Sequence, residues 1–346
     1  MRDYIIVGAG LSGIVITDEL QNRGRTVLVF ENGSQSSSTV AGGIFNPVIL
    51  KRFTLAWNAD SQLETAIPFY RSLEKKLGVN LLEELNIYRK FGSVEEQNNW
   101  FEATDKPRVS SFLDPHLHST VNDNIPSSFS FGKVLKSGRI DTALLLKSYR
   151  RLLKDQGSLI TEDFEYDNLK VEEGIIEYKG FKAKKIIFCE GFGMVKNPFF
   201  NFLPLNGNKG EYLIIKSEKL NLKVAVKSSV FILPLGNDLY KVGATYDNRD
   251  QSPDPTPEAR EKLLQQLKKM MTCDFEVVGQ VGGIRPATPD RKPLAGKHPS
   301  YSQMYCCNGF GSRGVLMAPT VAKELIALIE EGKALPEEMD LQRFLK

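Results

Sequence analysis

The residues with the clearest chemical pattern are Gly8-Ala9-Gly10-Leu11-Ser12-Gly13, followed downstream by Glu31. The spacing G-x-G-x-x-G builds a turn whose backbone a pyrophosphate can approach. Gly8 permits the tight turn, Gly10 the close approach, and Gly13 the packing of a helix on a strand. An acid at the position of Glu31 accepts hydrogen bonds from a ribose diol and disfavours a 2′-phosphate, and with it NADP. Taken alone, the pattern serves NAD and FAD equally.

These residues act only if two strands and a helix hold them. The apolar run Tyr4-Ile5-Ile6-Val7 reads as a buried strand. Ile14, Val15, Ile16 and Leu20 set a helical period that stops near Arg23-Gly24. Thr26-Val27-Leu28-Val29-Phe30 forms the next strand and ends at Glu31. The order strand, glycine turn, helix, strand, acid fits within about 30 residues, as a dinucleotide unit requires.

The chain has 346 residues, 41% hydrophobic and 25% charged, as expected of a soluble globular protein with two domains or one large one. A net charge of +3 is too small to argue for nucleic acid or membrane binding. No apolar run reaches membrane-spanning length, and a strand starting at once leaves no signal peptide, so a cytoplasmic protein is expected. Cys189, Cys273, Cys306 and Cys307 suggest free thiols rather than a disulfide framework. With three histidines and no C-x-x-C, no metal site is expected.

Further along, residues 34–38 read as a serine-rich loop leading into Thr39-Val40-Ala41-Gly42-Gly43-Ile44-Phe45-Asn46-Pro47. The small residues there let backbone lie close to something flat or charged. Residues 61–77 read as an amphipathic helix interrupted at Pro68, residues 87–91 as a strand, and residues 94–104 as a short helix. Residues 105–128 read as loop-rich, with His116 and His118 solvated in a loop. Residues 131–139 look strand-like, and Asp141 is placed to cap a helix over residues 142–155. Gly157-Ser158-Leu159-Ile160 opens another strand. A hairpin is expected around Glu173-Gly174, then a buried strand ending Phe188-Cys189-Glu190-Gly191, beside the first strand in one sheet. Residues 204–245 read as β-rich, with turns at Asn206-Gly207 and Gly236-Asn237-Asp238. A proline-rich linker precedes a helix over residues 258–271, and a last helix ends near Glu331.

The order of these stations resembles the FAD-dependent amine oxidoreductases of the D-amino-acid oxidase, glycine oxidase and sarcosine oxidase type. The match runs from residue 4 to about 331. It includes Ile232-Leu233-Pro234, Gly243-Ala244-Thr245, Gly283-Ile284-Arg285-Pro286 and Asn308-Gly309 through Gly314 to Ala318-Pro319. The resemblance implies an α/β (α+β overall) fold: a Rossmann-like FAD-binding domain from residues 1–55, 135–204 and 282–346, and a substrate domain with a mixed or antiparallel sheet from 56–134 and 205–281. It implies FAD as cofactor. Ser37, Ser38 and Thr39 would lie on the pyrophosphate side, and Ala41, Gly42 and Gly43 by the flavin ring. Asn32, Gly191, Gly311, Ser312, Arg313 and Gly314 complete the implied cofactor set, the last four opening a helix aimed at the flavin. Arg285 matches the arginine that holds a substrate carboxylate, for which a planar guanidinium is suited. Tyr212, Phe231, Tyr246, Asn46 and Arg313 are the other pocket candidates. No side chain is assigned as catalytic acid or base. Where many amino-acid oxidases carry a tyrosine, this chain has Phe231.

The resemblance thus implies oxidation of the C–N bond of a small amine or amino acid, a D-amino acid, glycine or an N-substituted glycine, by hydride transfer to flavin N5. The segments at residues 243–247 and 311–319 are similar to the flavin domain that removes a carboxymethyl group from a modified tRNA uridine. A tRNA partner is therefore the alternative, and a non-catalytic flavin-binding protein a further one.

Overall fold

The strand Arg2–Val7 lies between Val27–Phe30 and Phe181–Phe188 and pairs parallel with both. This computed structural model describes residues 1–345. Leu159–Ile160 extends the parallel sheet beyond Val27–Phe30, and Met304–Asn308 extends it beyond the second half of Phe181–Phe188. The hairpin Leu169–Glu172 with Ile175–Tyr178 pairs antiparallel to the first half of that strand. Residues 4–7 are buried on both faces, as a covered parallel sheet requires. Tyr4 and Ile6 pack towards the helices Leu11–Asn22 and Gly314–Glu331, while Ile5 and Val7 face a second cluster with Phe30 and Phe188.

The glycine turn folds for a steric reason. A Cβ on Gly13 would overlap the Gly8 carbonyl, and Gly8 itself has φ +98. Both positions must therefore lack a side chain for the helix to start directly over the strand.

A second sheet runs in the order Glu276–Ala287, Asn206–Lys216, Leu239–Gly243, Phe231–Gly236, Ala225–Lys227, Ile87–Lys90, Phe131–Val134, Leu113–His118. Its two faces separate by alternation. Leu213, Val242, Ile232 and Val226 form one register line and pack with Leu263 and Leu267 of the helix Pro257–Lys268. The neighbouring line, Tyr212, Gly243, Phe231 and Lys227, turns the opposite way. The mixed α/β class expected from the sequence is what the chain adopts.

Several local expectations need correction. His116 and His118 lie not in a loop but on a strand, Leu113–His118, within the loop-rich stretch 105–128. It sits at the sheet edge with a register shift, where Pro115 removes no needed ladder bond. Asn206-Gly207 is not a turn; it starts the strand Asn206–Lys216 opposite Pro286 and Ala287. Helix Ala59–Leu77 runs through Pro68 without a break, with Leu63, Ala66, Tyr70 and Leu73 sealing its buried face. Ser37 belongs to a short helix, Ser37–Val40, rather than to the loop before it. Residues 131–139 divide into two strands, Phe131–Val134 and Gly138–Ile140.

Candidate functional site

The carboxyl ends of the parallel strands open into a cleft of about 990 Å³. It runs from the nucleotide turn to the second sheet's Tyr212 face, and its size suits an extended cofactor with a substrate beside it.

At the nucleotide end, Gly10 begins the helix Leu11–Asn22 with no side-chain cap. The helix N-terminus thus offers backbone donors and a positive dipole end to an anion. Gly10 has φ −74, which any residue can adopt, and a Cβ there would meet only Ser38 Oγ, at 3.6 Å. The protein leaves this space open towards the cleft, as a pyrophosphate cradle demands. Glu31 is held by the backbone N–H groups of Ala9 and Gly33, at 2.5 and 2.6 Å, and by Arg150 Nη2 at 3.2 Å. Its carboxylate keeps further lone pairs for a ribose diol. Asn32 donates to Asp163 at 2.7 Å, and Asp163, Phe164 and Tyr166 wall this end. The donor set fits FAD.

Of the sequence-predicted cofactor residues, Gly8, Gly10, Leu11, Ser12, Glu31, Asn32, Ser37, Ser38, Ala41, Gly42, Gly43, Gly191, Gly311, Ser312, Arg313 and Gly314 line the cleft. Ala9, Gly13 and Thr39 do not. Ala9 is buried and gives its N–H to Glu31, and Gly13 packs against Gly8.

At the other end, Arg285, Tyr212, Phe231, Tyr246, Asn46 and Arg313 all line the same cleft. Arg285 Nη1 donates to Asn208 Oδ1 at 2.7 Å and to the Thr245 carbonyl at 3.3 Å, with the guanidinium 4.6 Å from the Tyr246 ring centroid. No carboxylate pairs with it within 4.0 Å among the described residues, so its charge is available to a ligand. Tyr246 is 68% exposed and covers Arg285 from the solvent side. Arg313 precedes the helix Gly314–Glu331, and its Nη1 holds the Asn46 carbonyl at 2.8 Å. Burial lowers the Arg313 pKa, so this charge too is costly to keep without a partner.

Sequence reasoning missed four features. Gly210 has no room for a Cβ, because the Arg285 guanidinium occupies that space. Lys241 donates to the Val40 and Ala41 carbonyls, both at 3.1 Å, and burial pulls its pKa down to about 8. Glu190 accepts from Tyr166 at 2.5 Å and Asn197 at 2.7 Å, and burial lifts its pKa to about 7. Lys209 is 1% exposed and ties Asp250, Ser252 and the Asp254 carbonyl to the strand Asn206–Lys216. Gly210 and Glu190 line the cleft, while Lys241 and Lys209 brace segments beside it, and only the register and the packing put them there. Among the described residues no cluster of His, Cys, Asp and Glu could hold a metal, and no helix is long and apolar enough to cross a membrane.

Comparisons with known proteins agree with this geometry. The chain is similar to the tRNA 5-methylaminomethyl-2-thiouridine biosynthesis bifunctional protein MnmC of Legionella pneumophila (strain Lens), 23% identical over 98% of this chain and 56% of that protein. It thus spans about half the length of such relatives. The glycine oxidase of Pseudomonas aeruginosa is 21% identical, with 94% of each chain covered. Among solved structures, glycine oxidase from Geobacillus kaustophilus superposes with a TM-score of 0.81 at 19% identity, over 99% of this chain and 97% of that one. Iminodiacetate oxidase from Chelativorans sp. BNC1 gives 0.78 at 18%, over 99% and 98%. A sequence model of one family matches residues 3–328, and the chain belongs to that family, the FAD dependent oxidoreductases.

Proposed function

We propose that the protein oxidises the C–N bond of a small amine that carries a carboxylate next to the amine carbon. The observation that supports this most is Arg285, a guanidinium without a carboxylate partner, held by Asn208 and Thr245 and facing the cleft. Bound FAD would supply the two-electron acceptor for the hydride of the substrate's α C–H, leaving an imine that water would hydrolyse.

The chain's own residues do the rest. Arg285 takes the carboxylate through charge-assisted bonds and so fixes the orientation of the α carbon. Phe231, Leu233 and Tyr212 give the cleft an apolar wall that sheds water around the amine. Lys241 fixes the Val40-Ala41 backbone that would carry the flavin ring. The N-terminus of helix Gly314–Glu331 lines the cleft, where its dipole would favour negative charge by about 0.3–2 kcal/mol. No general base is required when the amine arrives neutral.

The test is anaerobic bleaching of the bound flavin by a panel of D-amino acids, glycine, sarcosine and longer secondary amino acids. Bleaching by at least one class supports the reading, and none by any class overturns it. A second reading sets the same carboxymethylamine on a modified tRNA uridine. It is favoured by the match to the bifunctional tRNA enzyme over 98% of this chain. Flavin reduction by tRNA from a modification-blocked strain, but not by small N-substituted glycines, would select it.

A further inference from the structure

Lys227 lines the cleft with Arg285 but far from it along the sheet. Register lines put Lys227 opposite Phe231, Phe231 opposite Gly243, and Gly243 opposite Tyr212, so all four share a face. The Arg285 guanidinium lies over Gly210, two residues from Tyr212 on the same strand and hence on that face. Lys227 Nζ sits 5.2 Å from the Phe231 ring centroid and donates to the Ser229 carbonyl at 3.0 Å. From Phe231, over which Nζ sits, two strand steps across and two residues along the strand lead to Gly210 and the Arg285 guanidinium, roughly 12 Å.

The charges around Lys227 do not balance. Its cross-strand neighbour Arg89 is neutralised by Glu96 at 2.6 Å and also donates to the Ser228 carbonyl. Lys227 has no carboxylate within 4.0 Å among the described residues. A half-buried ammonium beside an aromatic ring and a second cation is expensive unless an anion meets it. Burial, then the Arg89 charge, draws its pKa down to about 8, the signature of a cation short of a counter-ion.

We propose that Lys227 is a second anion-binding residue of the substrate cavity. The substrate is then a secondary amine with a carboxymethyl group on one side and, on the other, a chain ending in a carboxylate or phosphate roughly 12 Å away. This rests on the amine-oxidation reading and narrows its substrate class. Glycine and sarcosine fill the Arg285 end and leave Lys227 unmatched. Phe231 offers no hydrogen bond and suits the apolar linker between the two anions.

The test compares N-(5-carboxypentyl)glycine and N-(5-phosphonopentyl)glycine with N-hexylglycine as reductants of the holoenzyme under anaerobic conditions. We expect kcat/KM on the order of tenfold higher for one or both anionic chains, the larger value identifying the carboxylate or the phosphate source. Lys227→Met should bring the ratio to about one, and Lys227→Arg should retain most of it. A wild-type ratio near one, or a ratio that survives Lys227→Met, overturns the assignment. The unreactive pair azelate and nonanoate, which match the carboxyl spacing of N-(5-carboxypentyl)glycine, tests the site without turnover when titrated by their perturbation of flavin absorbance. Tighter azelate binding lost in Lys227→Met supports it even if no glycine derivative bleaches the flavin, an outcome that would sink only the oxidation reading. Equal binding of the two acids overturns the anion site.

Discussion

The Arg285 guanidinium occupies the space that a Cβ on Gly210 would fill. The two residues lie on adjacent strands, Glu276–Ala287 and Asn206–Lys216, near the pair Asn208 and Arg285. The orientation of the arginine thus depends on a neighbour having no side chain.

Gly210→Ala should therefore displace Arg285 while FAD stays bound. We expect kcat/KM for a carboxylated amine to fall roughly 10- to 100-fold, comparable with the loss of a charge-assisted bond pair. Arg285→Lys should also lose activity, since an ammonium cannot make two parallel bonds. Steady-state kinetics with flavin content measured on the same samples decides. Full activity in Gly210→Ala would show that Arg285 has another working position.

Two glycines of the nucleotide turn should fail in different ways. Gly13→Ala places a methyl group against the Gly8 carbonyl and should destabilise the fold itself. A Cβ on Gly10 would meet only Ser38 Oγ, and the φ is permitted, so the Gly10→Val apoprotein should melt near the wild-type temperature yet bind FAD far more weakly. Thermal melts of both apoproteins, with FAD titrations, separate the two outcomes. Unaltered FAD affinity in Gly10→Val would place the pyrophosphate elsewhere.

Glu190 gives a pH prediction. Burial raises its pKa from 4.5 to about 7, opposed by the Tyr166 and Asn197 hydrogen bonds. Between these values the folded state binds more protons than the unfolded state, so stability falls as pH rises through this window. Glu190→Gln should be more stable than wild type at pH 8, by up to about 3 kcal/mol, and should lose that advantage near pH 5. Denaturant melts of the apoprotein at both pH values measure it. An advantage that does not depend on pH would assign the effect to something other than ionisation.

Much of this was legible in the chain. The unit from Tyr4 to Glu31 could be read because burial on both faces, a glycine turn and a helical period point the same way. The Asp141 cap was also readable, and its side chain accepts from the Leu144 N–H at 3.0 Å. The edge strand Leu113–His118 was hidden by Pro115 and polar residues that only an edge tolerates. Asn206-Gly207 looks like a turn locally, and cross-strand pairing overrides it. Lys227 and Lys241 carry no local signal. Their place on the cleft face follows from the register of distant strands.

Lys209 anchors residues 250–254 from beneath, and Gln251 and Pro253 of that segment line the cleft with Tyr246, which precedes it. Lys209→Met should leave Asp250 and Glu211 without their cation and loosen the segment. Faster proteolytic cleavage within residues 247–256 and a raised substrate KM are expected. An unchanged cleavage pattern would show that the Asp247 backbone bonds to Lys209 suffice.

Whether a carboxylate held by Arg285 orients an amine for oxidation is read most directly from anaerobic stopped-flow reduction of the flavin. An N-substituted glycine is compared with the same amine lacking its carboxylate, in wild type and in Arg285→Met. The account predicts rapid reduction by the acid, a loss of two orders of magnitude or more without the carboxylate, and the same loss in the variant. Equal reduction rates with and without the carboxylate in the wild-type enzyme would contradict it.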